Sequence, residues 1–162
     1  MTNDPELLRR LNAVGTNYTQ TGGELQWASP AILRNDLAPL DLTLTAADEF
    51  DDVALRRLLD EVDAFAARVS AGELVSAFKQ YIIQFFRQVY EPQLPDFELE
   101  ELQDVQGVIT DEAILGCVGS GNVVFEYAGD VWVCAYLSAS FDEEHGVDIE
   151  FDEQGEIARP WQ

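Results

Sequence analysis

The chain has 162 residues, 31 of them Asp or Glu and 9 Lys or Arg, so its formal net charge is −22. Apolar residues make up 47% of the chain and aromatic residues 10%, which excludes a disordered protein because disordered chains are poor in both. Such a charge repels phosphates, so we expect no nucleic-acid partner and no anionic membrane partner. The length predicts a single α+β domain over residues 1–162, mainly helical in 1–91 and mainly β in 96–158.

The N-terminus and the cysteines bear on the cellular compartment. Residues 1–5 do not begin a basic segment followed by an apolar one, as a secretory signal would. Cys117 and Cys134 stand in apolar surroundings without Cys-x-x-Cys spacing, which is typical of buried, reduced thiols. No apolar run approaches the ~18 residues that a membrane-spanning helix needs. We therefore expect a cytoplasmic protein.

The chain opens with a predicted helix and then becomes difficult to interpret. Asp4 followed by Pro5 is typical of a helix start, and Gly15 is typical of a helix end. Residues 16–44 are interrupted by glycine pairs and prolines, which predicts loops or short strands in this segment.

Two consecutive helices are predicted next. From about Thr45 to Val69, apolar residues recur every three or four positions. Ser70 and Glu73 have the spacing of a capping box, which predicts the start of the following helix. That helix is apolar around more than half of its circumference, so we expect it to be central. The double-proline segment 91–95 ends it and joins the two halves.

The second half changes to a period of two and predicts strands. After an acidic segment at 97–102 that fits a strand or one helical turn, short apolar runs alternate with turns that combine Gly with Asp or Asn. Connections this short cannot join parallel strands. The sequence therefore predicts N-terminal helices packed on one face of a C-terminal antiparallel β-meander. The predicted strands are 113–118, 123–127, 131–141, 147–151 and 156–158, joined by turns at 119–122, 128–130, 142–146 and 152–155.

No motif in the sequence predicts catalysis. The glycine-rich segment 116–121 lacks the Gly-Lys-Ser/Thr ending of a phosphate-binding loop. His145 is the only histidine, and we expect it to be exposed in a turn. Residues 148–152 have the spacing of a calcium loop, but Glu153 and Arg159 replace its required Gly and Glu. We expect no enzyme, no cofactor and no metal site, with a carboxylate hydrolase using a divalent metal as the weakest alternative.

The negative charge is concentrated in the second half, which suggests a binding site. Residues 91–162 carry 18 acidic groups and one basic group, Arg159. Alternation in the last long strand places Asp148, Glu150 and Asp152 opposite its apolar residues. The negative electrostatic field of these acidic groups favours a basic protein partner. The candidate partner-binding residues are Glu126, Asp142, Glu143, Glu144, Asp148, Glu150, Asp152 and Glu153, and the candidate interface anchors are Trp132, Tyr136 and Trp161.

The C-terminal third also carries a resemblance. Residues 127–133 form a tryptophan-bearing strand segment, and residues 141–155 contain an Asp-Glu-Glu-His-Gly hairpin followed by a Phe-Asp-x-x-Gly turn. This arrangement resembles small acidic bacterial proteins of unknown function, several families of which are associated with polymorphic-toxin systems as immunity proteins. The resemblance implies that the protein binds and inhibits a toxin.

Two hypotheses of function follow. The first is a non-enzymatic interaction protein whose acidic sheet face binds a basic partner, in particular a toxin directed at nucleic acid. The alternative is an α+β binding or regulatory module with a ligand pocket between helices and sheet, in which the acidity serves only solubility or reflects a salt-adapted proteome. The oligomeric state is not predicted.

Overall fold

The computed structural model describes residues 2–159, so the predicted anchor Trp161 lies outside the described residues. These residues form an α+β fold, as predicted, with five α-helices and a six-stranded mixed sheet. The helices are α1 (Pro5–Val14), α2 (Asp52–Ser70), α3 (Glu73–Phe85), α4 (Asp96–Leu102) and α5 (Asp111–Gly116). The strands are β1 (Tyr18–Thr21), β2 (Glu24–Trp27), β3 (Leu40–Ala46), β4 (Val118–Tyr127), β5 (Val131–Ala139) and β6 (Asp142–Glu150).

The six strands lie side by side in sequence order. The predicted antiparallel meander is present as β4, β5 and β6. The sheet as a whole is not an antiparallel C-terminal meander, because β1, β2 and β3 extend it and β3 pairs with β4 in parallel. A parallel pair needs a long crossover, and here that connection contains α2, α3, α4 and α5. The Thr43 hydroxyl, on a side chain that is largely buried, donates to Asn122 Oδ1 at 3.2 Å across the parallel junction.

Several predicted boundaries in the second half are wrong. The predicted strand 113–118 is helix α5, whose first turn is capped by Thr110 Oγ1 accepting from the Ala113 N–H at 3.1 Å. The predicted turn 119–122 belongs to β4, and 142–146 belongs to β6, after a turn at 140–141. The glycines in these segments serve irregular pairing within strands, since register shifts occur near Gly121 and Gly146.

The helix starts agree with the sequence only in part. Asp4 caps α1 as predicted, accepting from the Glu6 N–H at 2.9 Å. Helix α2 begins later than predicted, because residues up to Ala46 belong to β3, and its N-cap is Asp51. The predicted capping box is wrong: Ser70 is the last residue of α2, and α3 is preceded by Gly72 without a side-chain cap. The turn between these helices needs a positive φ of 79°, which glycine adopts without strain.

The helices cover one face of the sheet. Phe65 of α2 packs edge-on against Phe125 of β4, with ring centroids 5.4 Å apart, and against Phe151 at 5.6 Å. Val147 and Ile149 of β6 point into the same core and are fully buried, as their alternation predicted. The opposite face of the sheet, called the open face below, carries the strand residues that point away from these helices.

Candidate functional site

Cross-strand pairing arranges the open-face side chains in three rows. Residues opposite each other in neighbouring strands project to the same face. The first row contains Glu24, Thr45, Glu126 and Trp132. The second contains Gln26, Thr43, Val124, Cys134 and Glu150. The third contains Asp41, Asn122, Tyr136 and Asp148.

The charged groups of the open face are all carboxylates. None of the six strands of residues 2–159 contains a Lys or Arg. The ion pairs found within this range join other acids to basic residues, as Arg10 does with Asp60 at 2.9 Å. The negative charge of the open-face carboxylates is therefore not balanced by ion pairs within residues 2–159. The five carboxylates are Glu24, Asp41, Glu126, Asp148 and Glu150.

Two large aromatic side chains stand among these acids. Trp132 and Tyr136 of β5 are each 40% exposed, and Cys134 between them is 1% exposed. Burial is the main cause that raises the pKa of Tyr136 to about 12, and a hydrogen bond with the Cys134 thiol adds to it. Burial likewise raises the pKa of Cys134 to about 11. Both groups are therefore protonated at neutral pH, and Cys134 does not have the thiolate character of a nucleophile.

Asp148 differs from an ordinary surface carboxylate. Partial removal from water raises its pKa, although the nearby His145 acts in the opposite direction. On the edge of β6 the Tyr81 hydroxyl donates to the backbone oxygen of Asp148 at 2.9 Å, which holds α3 against this strand. A cation bound to the Asp148 carboxylate would oppose the desolvation that raises this pKa.

The structure brings three of the eight predicted site residues together on the open face, namely Glu126, Asp148 and Glu150. Glu143 and Glu144 are exposed at the start of the edge strand β6.

Of the other three predicted residues, Asp142 and Asp152 accept hydrogen bonds from within the protein. The Asp142 side chain is only 16% exposed; it accepts a hydrogen bond from the Tyr90 hydroxyl and lies 3.1 Å from His145 Nδ1. The hydrogen bond from Tyr90 is the largest cause that lowers the pKa of Asp142. Asp152 Oδ1 accepts from the backbone N–H groups of Gln154 and Glu156, both at 2.9 Å, and so closes the last turn. Glu153 lies in that same turn, away from the open face. Strand β6 ends at Glu150, two residues before Asp152.

Two acids of the open face, Glu24 and Asp41, were not predicted from the sequence. They lie in β2 and β3, within the segment 16–44 that glycines and prolines made difficult to interpret. Each alternates with buried leucines, Leu25 in β2 and Leu40 and Leu42 in β3. That short period-two pattern was the signal that could have identified them.

A cavity lies on the helix side of the sheet, between α2 and the strand ends. Its volume is about 300 Å³. Phe65, Phe125 and Phe151 line its apolar part, and Arg68 at its rim donates a hydrogen bond to the Gly155 carbonyl oxygen. The cavity therefore combines apolar surface with one paired cation, and Glu61, Asp130, Asp152 and Glu153 also line it.

No group of His, Cys, Asp and Glu within residues 2–159 could hold a metal ion. No helix in the same range is long and apolar enough to cross a bilayer.

Comparison with known proteins adds no assignment to this geometry. No protein-family model, curated protein or solved structure matches the chain.

Proposed function

We propose that this protein is a non-enzymatic interaction protein whose open face binds a basic protein partner. The observation that carries the proposal is the composition of that face: five carboxylates and two exposed aromatic side chains, with no Lys or Arg in any strand of residues 2–159. The partner class we propose is a toxin directed at nucleic acid, which the protein inhibits as an immunity protein.

Electrostatics supports a basic partner. Uncompensated carboxylates on one face raise the rate of encounter with a positively charged protein and disfavour neutral or acidic ones. Basic residues of this chain lie instead on the helices and loops, and Arg10, Arg57 and Lys79 form ion pairs with acids. The charge of the molecule is thus unevenly distributed, with the open face as a purely acidic side.

Inhibition follows from the same complementarity. A nuclease must present a basic surface to the phosphates of its substrate. A rigid acidic sheet face placed on that surface would exclude the nucleic acid by occupying its site. Trp132 and Tyr136 would supply the central apolar contact, since exposed aromatic residues are enriched among residues that dominate binding energy.

The test is affinity capture from the proteome of the protein's own cell. The wild-type chain should retain a basic protein at about 0.05 M salt and release it at about 0.5 M, because salt screens exposed charges. Asp148→Lys combined with Glu150→Lys should abolish the capture. The retained protein is then purified, and its degradation of DNA and RNA is measured with and without stoichiometric wild-type chain.

The matched control is Glu98→Lys combined with Glu101→Lys on α4, which makes the same change of charge outside the sheet. It should capture the same protein as the wild type. The proposal is overturned when no basic protein is retained, when the two double variants retain it equally, or when the retained protein does not degrade nucleic acid.

The cavity favours a second candidate, a binding or regulatory module that holds a small ligand between α2 and the sheet. Its volume of about 300 Å³ and its aromatic lining are the observations behind it. Under this alternative the acidity serves solubility alone. Capture would then be indifferent to the Asp148 and Glu150 substitutions, which separates the two candidates in the same experiment.

A further inference from the structure

The open face repeats one local arrangement twice. Trp132 of β5 stands directly opposite Glu126 of β4, and Tyr136 of β5 stands directly opposite Asp148 of β6. Side chains at opposed positions have Cβ atoms about 4.5–5.5 Å apart. Each pair therefore offers a half-exposed aromatic ring and a carboxylate within reach of a single bound group.

The two pairs lie on either side of Cys134, opposite which stands the third carboxylate, Glu150. None of these acids takes part in the ion pairs found within residues 2–159. The arginine side chains on the helices therefore form none of these ion pairs with the carboxylates of the two pairs. Both pairs can therefore receive a cation from outside.

We propose that the open face binds arginine side chains of its partner, with one guanidinium at each aromatic–carboxylate pair, in preference to lysine. The inference rests on the proposed function and names the chemistry by which that partner is recognised.

The preference follows from the shape of the two cations. A guanidinium is planar and weakly hydrated, so it can stack on an aromatic ring while its N–H groups bind a carboxylate with two hydrogen bonds. A lysine ammonium carries the same charge as a compact, strongly hydrated point and cannot use both features in this way. Recognition of positive charge alone would not require exposed aromatic rings beside the carboxylates.

The test compares two labelled peptides of about nine residues, one of arginine and one of lysine, which match in charge and so in counterion effects. Their affinities for the full-length chain are measured by fluorescence anisotropy in one buffer. We expect the arginine peptide to bind about fivefold more tightly or better, since stacking on two rings adds to the ionic attraction.

Three single variants identify the source of that preference. Trp132→Leu and Tyr136→Leu keep an apolar side chain and remove the ring, and each should reduce the arginine preference by about half or more. Phe97→Leu is the control, because Phe97 is 64% exposed beside Glu98 on α4 but has no cross-strand partner. It should leave the preference unchanged. Circular dichroism of each variant shows whether it has folded.

The outcomes separate this inference from the proposed function. Equal binding of the two peptides, abolished by Asp148→Lys with Glu150→Lys, overturns the arginine preference and leaves a general cation-binding face. An arginine preference that survives both ring substitutions overturns the inference as well. Absence of binding by either peptide overturns it and, together with a failed capture experiment, the proposed function.

Discussion

Gly146 lies in the irregular part of β6, where pairing with β5 shifts register between Leu137 and Ala139. Its φ is 63°, and a Cβ added there would overlap the Leu137 carbonyl oxygen. Gly129 also has a positive φ, 82°, but a Cβ there would meet nothing within 4 Å. Substituting each glycine by alanine therefore distinguishes two costs. The cost of a left-handed backbone applies at both positions, and the cost of steric overlap applies only at Gly146.

We expect Gly146→Ala to lower the free energy of unfolding by about 2–4 kcal/mol, because strain and overlap add. Gly129→Ala should cost about 1 kcal/mol, from its left-handed conformation alone. Urea denaturation of both variants measures the difference. Equal losses would show that the contact with Leu137 relaxes at little cost.

Single residues also explain why a charged position is not always an available one. Asp142 and Asp152 were predicted as partner-binding residues, but each carboxylate accepts hydrogen bonds from its own surroundings. Alternation of residue types predicts which face of a strand a side chain occupies. It does not predict a hydrogen bond to a residue as distant in sequence as Tyr90.

At the scale of elements, the start of each helix depended on which candidate residue takes the N-cap position in the folded protein. Asp51 Oδ1 accepts from the Ala54 N–H at 2.9 Å and caps α2. Ser70 has the spacing of a cap for α3, but α2 extends through it and Gly72 takes the cap position.

We expect Asp51→Ala to lower the free energy of unfolding by about 1 kcal/mol, because an N–H of the first turn loses its acceptor. Ser70→Ala should change it by less than about 0.5 kcal/mol, because this exposed residue ends a helix and caps none. Thermal unfolding of the two variants checks both values. A larger loss for Ser70→Ala would indicate that the capping box forms after all.

The observed strands differ from the predicted ones mainly where the alternating pattern of apolar and polar residues is short. Strands β1 and β2 have only four residues each, so any period-two signal in them is short, and glycine and proline residues surround them. The apolar run at 113–118 was compatible with either a strand or a helix, and a cap at Thr110 decided for helix α5. Longer alternating runs, such as Val131–Ala139, were predicted to within two residues.

For the molecule as a whole, an acidic face that serves binding should lower the stability of the protein when no partner is bound. The carboxylates of the open face repel one another, and no basic residue of the strands offsets this. We expect Glu126→Gln with Glu150→Gln to raise the melting temperature at low salt by about 2–4 °C. The gain should shrink as salt shortens the screening length from ~10 Å at 0.1 M to ~3 Å at 1 M.

The control changes the net charge equally at carboxylates that are already paired. Glu6→Gln with Asp60→Asn removes partners of Arg9 and Arg10, at 2.7 and 2.9 Å. This variant should show no gain in melting temperature. A gain equal to that of the open-face variant would mean that net charge, and not its position, sets the repulsion.

The sequence by itself determined the α+β class, the antiparallel strands β4, β5 and β6, the burial of alternating residues such as Val147 and Ile149, and the acidic excess. These follow from local periodicity, turn chemistry and composition, which act between residues close in the chain.

Only the tertiary structure decided which acids share a surface. The parallel pairing of β3 with β4 brings Asp41 beside Asn122 and Thr45 beside Glu126, across a crossover that contains four helices. That pairing depends on burying β3 leucines and β4 apolar residues in one core, a contact between distant segments that no local pattern encodes. It joins acids of both halves on the open face and leaves the basic residues of the chain on the helices and loops.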